Sequence, residues 1–164
     1  MTFQSGRWVA PLVASSAAVL VALLGGLLTR LDDWYYALSK PAFQPPDWLF
    51  GPAWTIIFLL CVLAALDVWR RELGPGQRRL ILLLFAVNGV LNVAWSGLFF
   101  FLKRPDLALG EVVMLWISVL SLVLMLGRHS RRAGLMLVPY LAWVGFAAAL
   151  NLAIVRLNAP FVGG

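Results

Sequence analysis

Amide and indole side chains recur at helical spacing in two apolar stretches of the chain. Asn88, Asn92 and Trp95 lie about one turn apart in one stretch and would share a face of a helix. A second stretch repeats this four-residue step with Trp143, Ala147 and Asn151. A buried amide is costly unless it is hydrogen-bonded. Two interpretations stay open: the asparagines only bond neighbouring helices, or they line a cavity beside the indoles.

Few other side chains of the sequence suit chemistry. His129 and Cys61 are the only histidine and cysteine, so we predict no metal site and no internal disulfide. Glu111 lies early in the fourth apolar run and is assigned no catalytic role. We find no nucleophile–base pair and no glycine-rich phosphate loop. These observations favour an uncharged or amphipathic aromatic ligand over an ion or a phosphorylated substrate.

The composition indicates a membrane protein. Hydrophobic residues make up 62% and charged residues 12% of the chain, whereas about 45–50% and about 25% are usual for soluble domains. The net charge of +6 would suggest nucleic acid in a soluble protein. Here the arginines flank the apolar runs, so the lipid bilayer is the expected partner and nucleic acid is not.

The five apolar runs are each long enough to cross a bilayer, which takes ~20 helical residues. They lack the alternating pattern of strands, so we predict an all-α membrane protein, a five-transmembrane-helix bundle forming a single domain over residues 1–164. Gly74-Pro75-Gly76 predicts a turn between the second and third helices. The predicted helices cover residues 8–29, 48–69, 80–102, 107–127 and 133–157.

The distribution of basic residues predicts the orientation. Eight arginines lie on the side of the N-terminus and five basic residues on the opposite side. The positive-inside rule therefore predicts a cytoplasmic N-terminus.

The long structured loop between the first two helices is rich in rings and proline. The stretch Trp34–Thr55 reads WYYALSKPAFQPPDWLFGPAWT. Proline fixes φ and restricts the residue before it, so this stretch cannot form one continuous helix. We therefore predict that residues 30–47, called here the lid segment, form a stiff aromatic lid. Trp54 opens the second helix, where it would lie at the mouth of a cavity.

These motifs resemble those of the translocator protein (TspO/MBR) family, also called the tryptophan-rich sensory protein or peripheral benzodiazepine receptor family. The stretch Trp34–Thr55 resembles the family signature of the first loop and second helix. Residues 88–100, NGVLNVAWSGLFF, and 138–151, VPYLAWVGFAAALN, resemble its third-helix and fifth-helix motifs. The resemblance covers the whole chain. It implies a five-helix bundle, a homodimer, and a ligand cavity beneath the first long loop.

The resemblance also implies ligands and site residues. Known ligands of the family are porphyrins such as protoporphyrin IX, cholesterol in animal members, and synthetic drugs. No cofactor would be required, and a porphyrin or haem-like tetrapyrrole would be the ligand. In this chain Leu152 replaces the tyrosine of the animal sterol motif, which favours a bacterial member in a bacterial membrane. The residues carried over are Tyr35 in the lid, Trp48 at the lid–helix junction, Trp54, Asn88, Asn92, Trp95, Trp143 and Ala147.

Three functions remain open from the sequence. The first is a membrane receptor or sensor that binds porphyrins and other hydrophobic aromatic ligands. The second is a small-molecule transporter for porphyrin or lipid, although five helices cannot split into equal halves as in many transporter folds. The third, an enzyme that degrades porphyrin in light, would use Trp54 and Trp143. We favour the receptor.

Overall fold

The computed structural model describes residues 9–161, and its regular elements are helices. The predicted start of the first helix at residue 8 lies outside the described residues. In the described chain, every helix except the short α2 is long and apolar enough to cross a membrane. The α-helices are α1 (Val9–Leu28), α2 (Asp33–Ala37), α3 (Phe50–Trp69), α4 (Pro75–Ser96), α5 (Pro105–His129) and α6 (Arg131–Asn158).

The start of α4 differs from the prediction. The helix begins at Pro75 instead of residue 80, so Pro75 and Gly76 belong to the helix and not to a turn. Proline is favoured at the first helical position, where its missing N–H would have no partner in the helix. The backbone N–H of Gly74 donates to Gln77 Oε1 at 3.0 Å and closes the start of the helix.

A π-helical turn, Gly97–Phe101, follows α4. The N–H of Leu102 donates to the carbonyl of Gly97 at 2.8 Å, which closes this wider turn. Such turns are rare and occur often at functional sites. Lys103 then ends the helical path with a φ of 54°, in the left-handed region. The turn brings Phe99 into the core beneath the lid segment.

The connection between α5 and α6 is a single residue, Ser130. Its hydroxyl accepts from the N–H of Ala133 at 3.3 Å, donates to Asp67 of α3, and accepts from Arg71 at 3.0 Å. Asp67 also forms an ion pair with Arg71 of the same helix end, at 3.4 Å. These contacts hold the end of α3 against the α5–α6 corner.

The α5–α6 pair makes the most extensive helix contact and relies on close backbone approach. A Cβ atom on Gly134 would lie 2.8 Å from Gly127 Cα and 3.1 Å from the carbonyl oxygen of Val123. Both are backbone atoms, which cannot move aside without shifting a helix. In contrast, α1 lies at the periphery, with Leu12 and Leu27 widely exposed to the surroundings of the bundle.

We therefore expect Gly134→Ala to destabilise the protein. Overpacking of this kind costs about 1–3 kcal/mol, and it should lower the thermal midpoint of the detergent-solubilised protein. Gly110→Ala is the matched control, because a Cβ atom added there would meet no other atom within 4 Å. Equal midpoints for the two variants would show that the helix contact is looser than described.

Candidate ligand cavity

A cavity of about 420 Å³ lies beneath the lid segment, between α1, α3, α4 and α6. Ligand pockets usually measure about 300–1,000 Å³. The lining is mostly apolar and aromatic with a few polar groups, and the described lining contains no lysine or arginine. The lining residues are Val21, Ala22, Gly25, Gly26, Thr29, Leu31, Tyr35, Gln44, Asp47, Phe50, Gly51, Trp54, Thr55, Phe58, Asn92, Trp95, Ser96, Phe99, Phe100, Trp143, Ala147, Leu150, Asn151 and Ile154.

Indoles from three helices converge on this cavity. Trp54 of α3 stacks on Phe58 with ring centroids 5.5 Å apart and meets Tyr140 edge-on at 6.0 Å. Trp95 of α4 and Trp143 of α6 complete the set. Helical spacing pointed to Trp95 and Trp143, and the position of Trp54 at the start of the second helix pointed to the third ring. The fold brings all three together.

The predicted asparagines of α4 hydrogen-bond with side chains of α5 and α6. Tyr140 of α6 donates to Asn88 Oδ1 and accepts from Asn92 Nδ2, both at 3.1 Å. Asn88 also donates to Ser118 of α5 at 2.9 Å. All four side chains are buried. Asn92 also lines the cavity. It therefore fits both interpretations of its spacing, because it bonds a neighbouring helix and borders the cavity.

Tyr35 anchors the roof of the cavity. Its side chain is 5% exposed, and its hydroxyl donates to Asp47 Oδ1 at 2.7 Å and accepts from Gln44 Nε2 at 3.1 Å. Burial raises the pKa of the Tyr35 phenol, and the adjacent Asp47 carboxylate raises it further. The ammonium of Lys40 lies 3.9 Å from the centroid of the Tyr35 ring. These contacts join Tyr35 to Lys40, Gln44 and Asp47 above the cavity.

Two further contacts tie the lid segment to the bundle. Asn158 at the end of α6 donates to the carbonyl of Ser39 at 2.9 Å and accepts from its N–H at 2.8 Å. Lys103 lies 2.8 Å from the carboxylate of Asp32. The hydrogen bond from Lys103 lowers the pKa of that carboxyl group. Sequence spacing could not find these pairs, because their members are far apart in the chain.

Two of the predicted site residues do not reach the cavity. Trp48 is 72% exposed, because the short 3₁₀-helix Asp47–Leu49 directs Asp47 toward the cavity and Trp48 away from it. Asn88 lies behind the lining, where its amide bonds Ser118 and Tyr140. The six that do line it are Tyr35, Trp54, Asn92, Trp95, Trp143 and Ala147.

Other lining residues were missed by the sequence prediction. Gln44 and Asp47 are polar residues inside the proline-rich stretch. Their polarity within that stretch was the available signal for a role in the roof. Phe58 lies one helical turn after Trp54, the spacing that places two side chains on one face of a helix. Ser96 lies four residues after Asn92, so the one-turn step from Asn88 to Asn92 was the available signal for it.

We expect Tyr140→Phe to destabilise the bundle. Loss of the hydroxyl leaves the buried Asn88 Oδ1 and Asn92 Nδ2 without this partner, which costs about 1–3 kcal/mol. Equilibrium unfolding in mixed detergent micelles measures the change. Tyr36→Phe is the control, since Tyr36 is 59% exposed. Equal free energies of unfolding for the two variants would contradict the role of the Tyr140 hydroxyl.

We also expect the attachment of the lid segment to depend on pH. A carboxyl group whose pKa is lowered by folding stabilises the fold above its unfolded pKa, and this contribution is lost as the pH falls through the folded value. Proteolysis within residues 30–47 should therefore accelerate on acidification. Asp32→Asn should already be cleaved faster at neutral pH and respond less to acid. A variant that matches the wild type at every pH would contradict the role of Asp32.

Comparison with known proteins agrees with this architecture. The family model described as the TspO/MBR family matches residues 13–157. The chain is 43% identical to the tryptophan-rich protein TspO of Chlorobaculum tepidum over 127 residues, which cover 77% of this chain and 80% of the relative.

Two further relatives cover a similar or larger share of the chain. Identity to the tryptophan-rich protein TspO of Archaeoglobus fulgidus is 40% over 151 residues, covering 90% of this chain and 97% of the relative. Identity to the tryptophan-rich sensory protein of Cereibacter sphaeroides is 38% over 133 residues, covering 81% and 82%. With its five long apolar helices, this multi-pass membrane protein belongs to the TspO/MBR family.

Proposed function

We propose that this protein is a membrane receptor or sensor that binds a porphyrin-like aromatic molecule in the cavity beneath the lid segment. The observation that carries the proposal is the convergence of Trp54, Trp95 and Trp143 with the Asn92 amide on one cavity. The relative named as a tryptophan-rich sensory protein supports the sensing role.

The walls suit a flat, polarisable ring system. Aromatic pairs prefer offset-stacked or edge-to-face contacts, each worth about 0.5–1.5 kcal/mol beyond burial. Trp143 packs edge-on against Phe50 with ring centroids 5.7 Å apart, and this contact supports its indole in the cavity wall. Ala147 lies one turn further along α6, and its small side chain leaves room beside that indole. Asn92 would then orient the ligand through its amide.

The charge of the lining bears on the kind of ligand. The described lining includes one carboxylate, Asp47, and no basic side chain. Two basic residues of the lid segment contact aromatic rings: the Arg30 guanidinium lies 4.7 Å from the Phe101 centroid, and Lys40 lies over Tyr35. These contacts favour surface positioning over direct binding of an acid. Acidic substituents of a porphyrin would therefore stay outside, with the neutral macrocycle in the cavity.

In this proposal the lid segment controls entry. Opening would require breaking the contacts of Asn158 with Ser39 and of Lys103 with Asp32. The N-terminus would lie in the cytoplasm and the lid segment on the opposite face of a bacterial membrane. Homodimer formation remains a prediction from the family resemblance.

A second candidate function is light-dependent degradation of bound porphyrin. Both Trp54 and Trp143 line the cavity, so a porphyrin held there would contact two indoles. In that case the porphyrin absorption band would disappear under illumination with both indoles intact. It would persist in the dark, or in a variant lacking either indole.

Titration with protoporphyrin IX tests the receptor function through quenching of tryptophan fluorescence. We expect saturable quenching in the wild type and at least about tenfold weaker binding in Trp54→Ala and Trp143→Ala, since about 1.4 kcal/mol corresponds to tenfold.

The matched control is Trp69→Ala. This residue ends α3, lies beneath the guanidinium of Arg78 and does not line the cavity. Its replacement removes one fluorophore and should leave the affinity unchanged. Absence of saturable quenching, or equal affinities for all variants, would refute the proposal.

A further inference from the structure

Two buried groups of complementary chemistry, one on α4 and the other on α5, lack hydrogen-bond partners. One is the indole N–H of Trp95, a donor, and the other is the carboxyl group of Glu111, whose two oxygens are both buried. In the described chain the other unpaired buried side-chain atoms are Gln44 Oε1 and Asn151 Oδ1, which are acceptors. The Trp95 N–H is thus the one unpaired donor among the buried side-chain atoms of residues 9–161.

The register of the two helices brings these groups to the same level. Asn88 of α4 donates to Ser118 of α5 at 2.9 Å, which fixes the alignment of the antiparallel pair. Trp95 follows Asn88 by seven positions and Glu111 precedes Ser118 by seven. Seven residues make about two turns, so each residue returns to the face of the hydrogen-bonded pair. Trp95 also packs in the same core cluster as Val112, the neighbour of Glu111.

The hydroxyl donors of the network that aligns these helices are already engaged. The hydroxyl of Tyr140 on α6 donates to Asn88, and that of Ser118 donates to the carbonyl of Leu115 at 2.7 Å. Cys61 of α3 lies in the same cluster and offers a weak S–H donor. A buried acceptor without a donor is costly in an apolar interior. Trp95 is therefore the donor best suited to satisfy Glu111.

We propose that Glu111 accepts a hydrogen bond from the indole N–H of Trp95 and thereby fixes the orientation of this ring in the cavity wall. A change of side-chain rotamer at Glu111 would bring the two groups together across the interface. Glu111 is absent from the cavity lining whereas Trp95 is part of it, so Glu111 is a positioning residue that acts through Trp95. Only its effect on ligand affinity rests on the proposed function.

The pairing would decide which part of the indole faces a ligand. Trp95 packs against Phe99 at 5.3 Å and against Phe100 edge-on at 5.9 Å. These apolar contacts define where the ring lies, but they are compatible with more than one rotation of the indole. A hydrogen bond from Nε1 to a carboxyl oxygen of Glu111 would select one rotation and satisfy the indole N–H and one of the two buried oxygens.

The direct test is an NMR spectrum of the full chain in detergent micelles with ¹⁵N-labelled tryptophan, in which Trp95→Phe assigns the Trp95 indole signal. We expect Glu111→Leu to shift that signal upfield and to speed its hydrogen exchange. Glu111→Gln should preserve both, because its side-chain carbonyl can accept the same bond. A purely structural role would instead disturb several of the eight tryptophans.

Binding of protoporphyrin IX supplies a second measurement. Glu111→Leu should weaken binding severalfold in the wild-type background and have no further effect in Trp95→Phe, as a double-mutant cycle requires for a coupled pair. Additive effects would overturn the positioning role.

The spectrum also separates this proposal from the receptor function, because it needs no ligand. A wild-type Trp95 signal with the shift and exchange of a free indole would overturn the pairing even if Glu111→Leu does not fold. An unshifted signal in Glu111→Leu would do the same. Failure of protoporphyrin to bind, with the signal shifted as expected, would refute only the receptor function.

Discussion

The need to pair polar side chains inside an apolar bundle governs this structure. The hydroxyl of Tyr140 on α6 pairs with two amides of α4 at once: it donates to Asn88 and accepts from Asn92. Asn88 extends the network to Ser118, so α4, α5 and α6 are joined at one level. Apolar packing alone is tolerant of small shifts, whereas hydrogen bonds in a low-dielectric interior demand particular geometry. The network therefore determines which faces of these helices point inward.

The cavity follows from that arrangement. With Asn92 facing inward, Trp95 comes to the cavity wall one turn further along α4, opposite the indoles of α3 and α6. The π-helical turn Gly97–Phe101 then adds Phe99 and Phe100 beneath the lid segment. The roof is closed by polar contacts of Tyr35 with Asp47 and Gln44. An interior of this kind is apolar overall, with a few groups placed to orient a ligand.

Predictions from the sequence succeeded mainly for features that depend on residues close together in the chain. Length and hydropathy located the five long helices, because a bilayer leaves few alternatives for a continuous apolar run. Spacing found Asn92, Trp95 and Trp143, because residues one turn apart share a face. Spacing gave no information on the direction of Trp48, which depends on one turn of 3₁₀-helix, and it could not pair Ser39 with Asn158. Such contacts depend on the tertiary fold.

An experimental structure of the protein with protoporphyrin IX bound would test the central claim most directly. The account predicts macrocycle density beneath the lid segment, in contact with Trp54 and Trp143 and within hydrogen-bonding distance of Asn92. Density on the lipid-facing surface of the bundle, with the cavity between α1, α3, α4 and α6 left unoccupied, would contradict it.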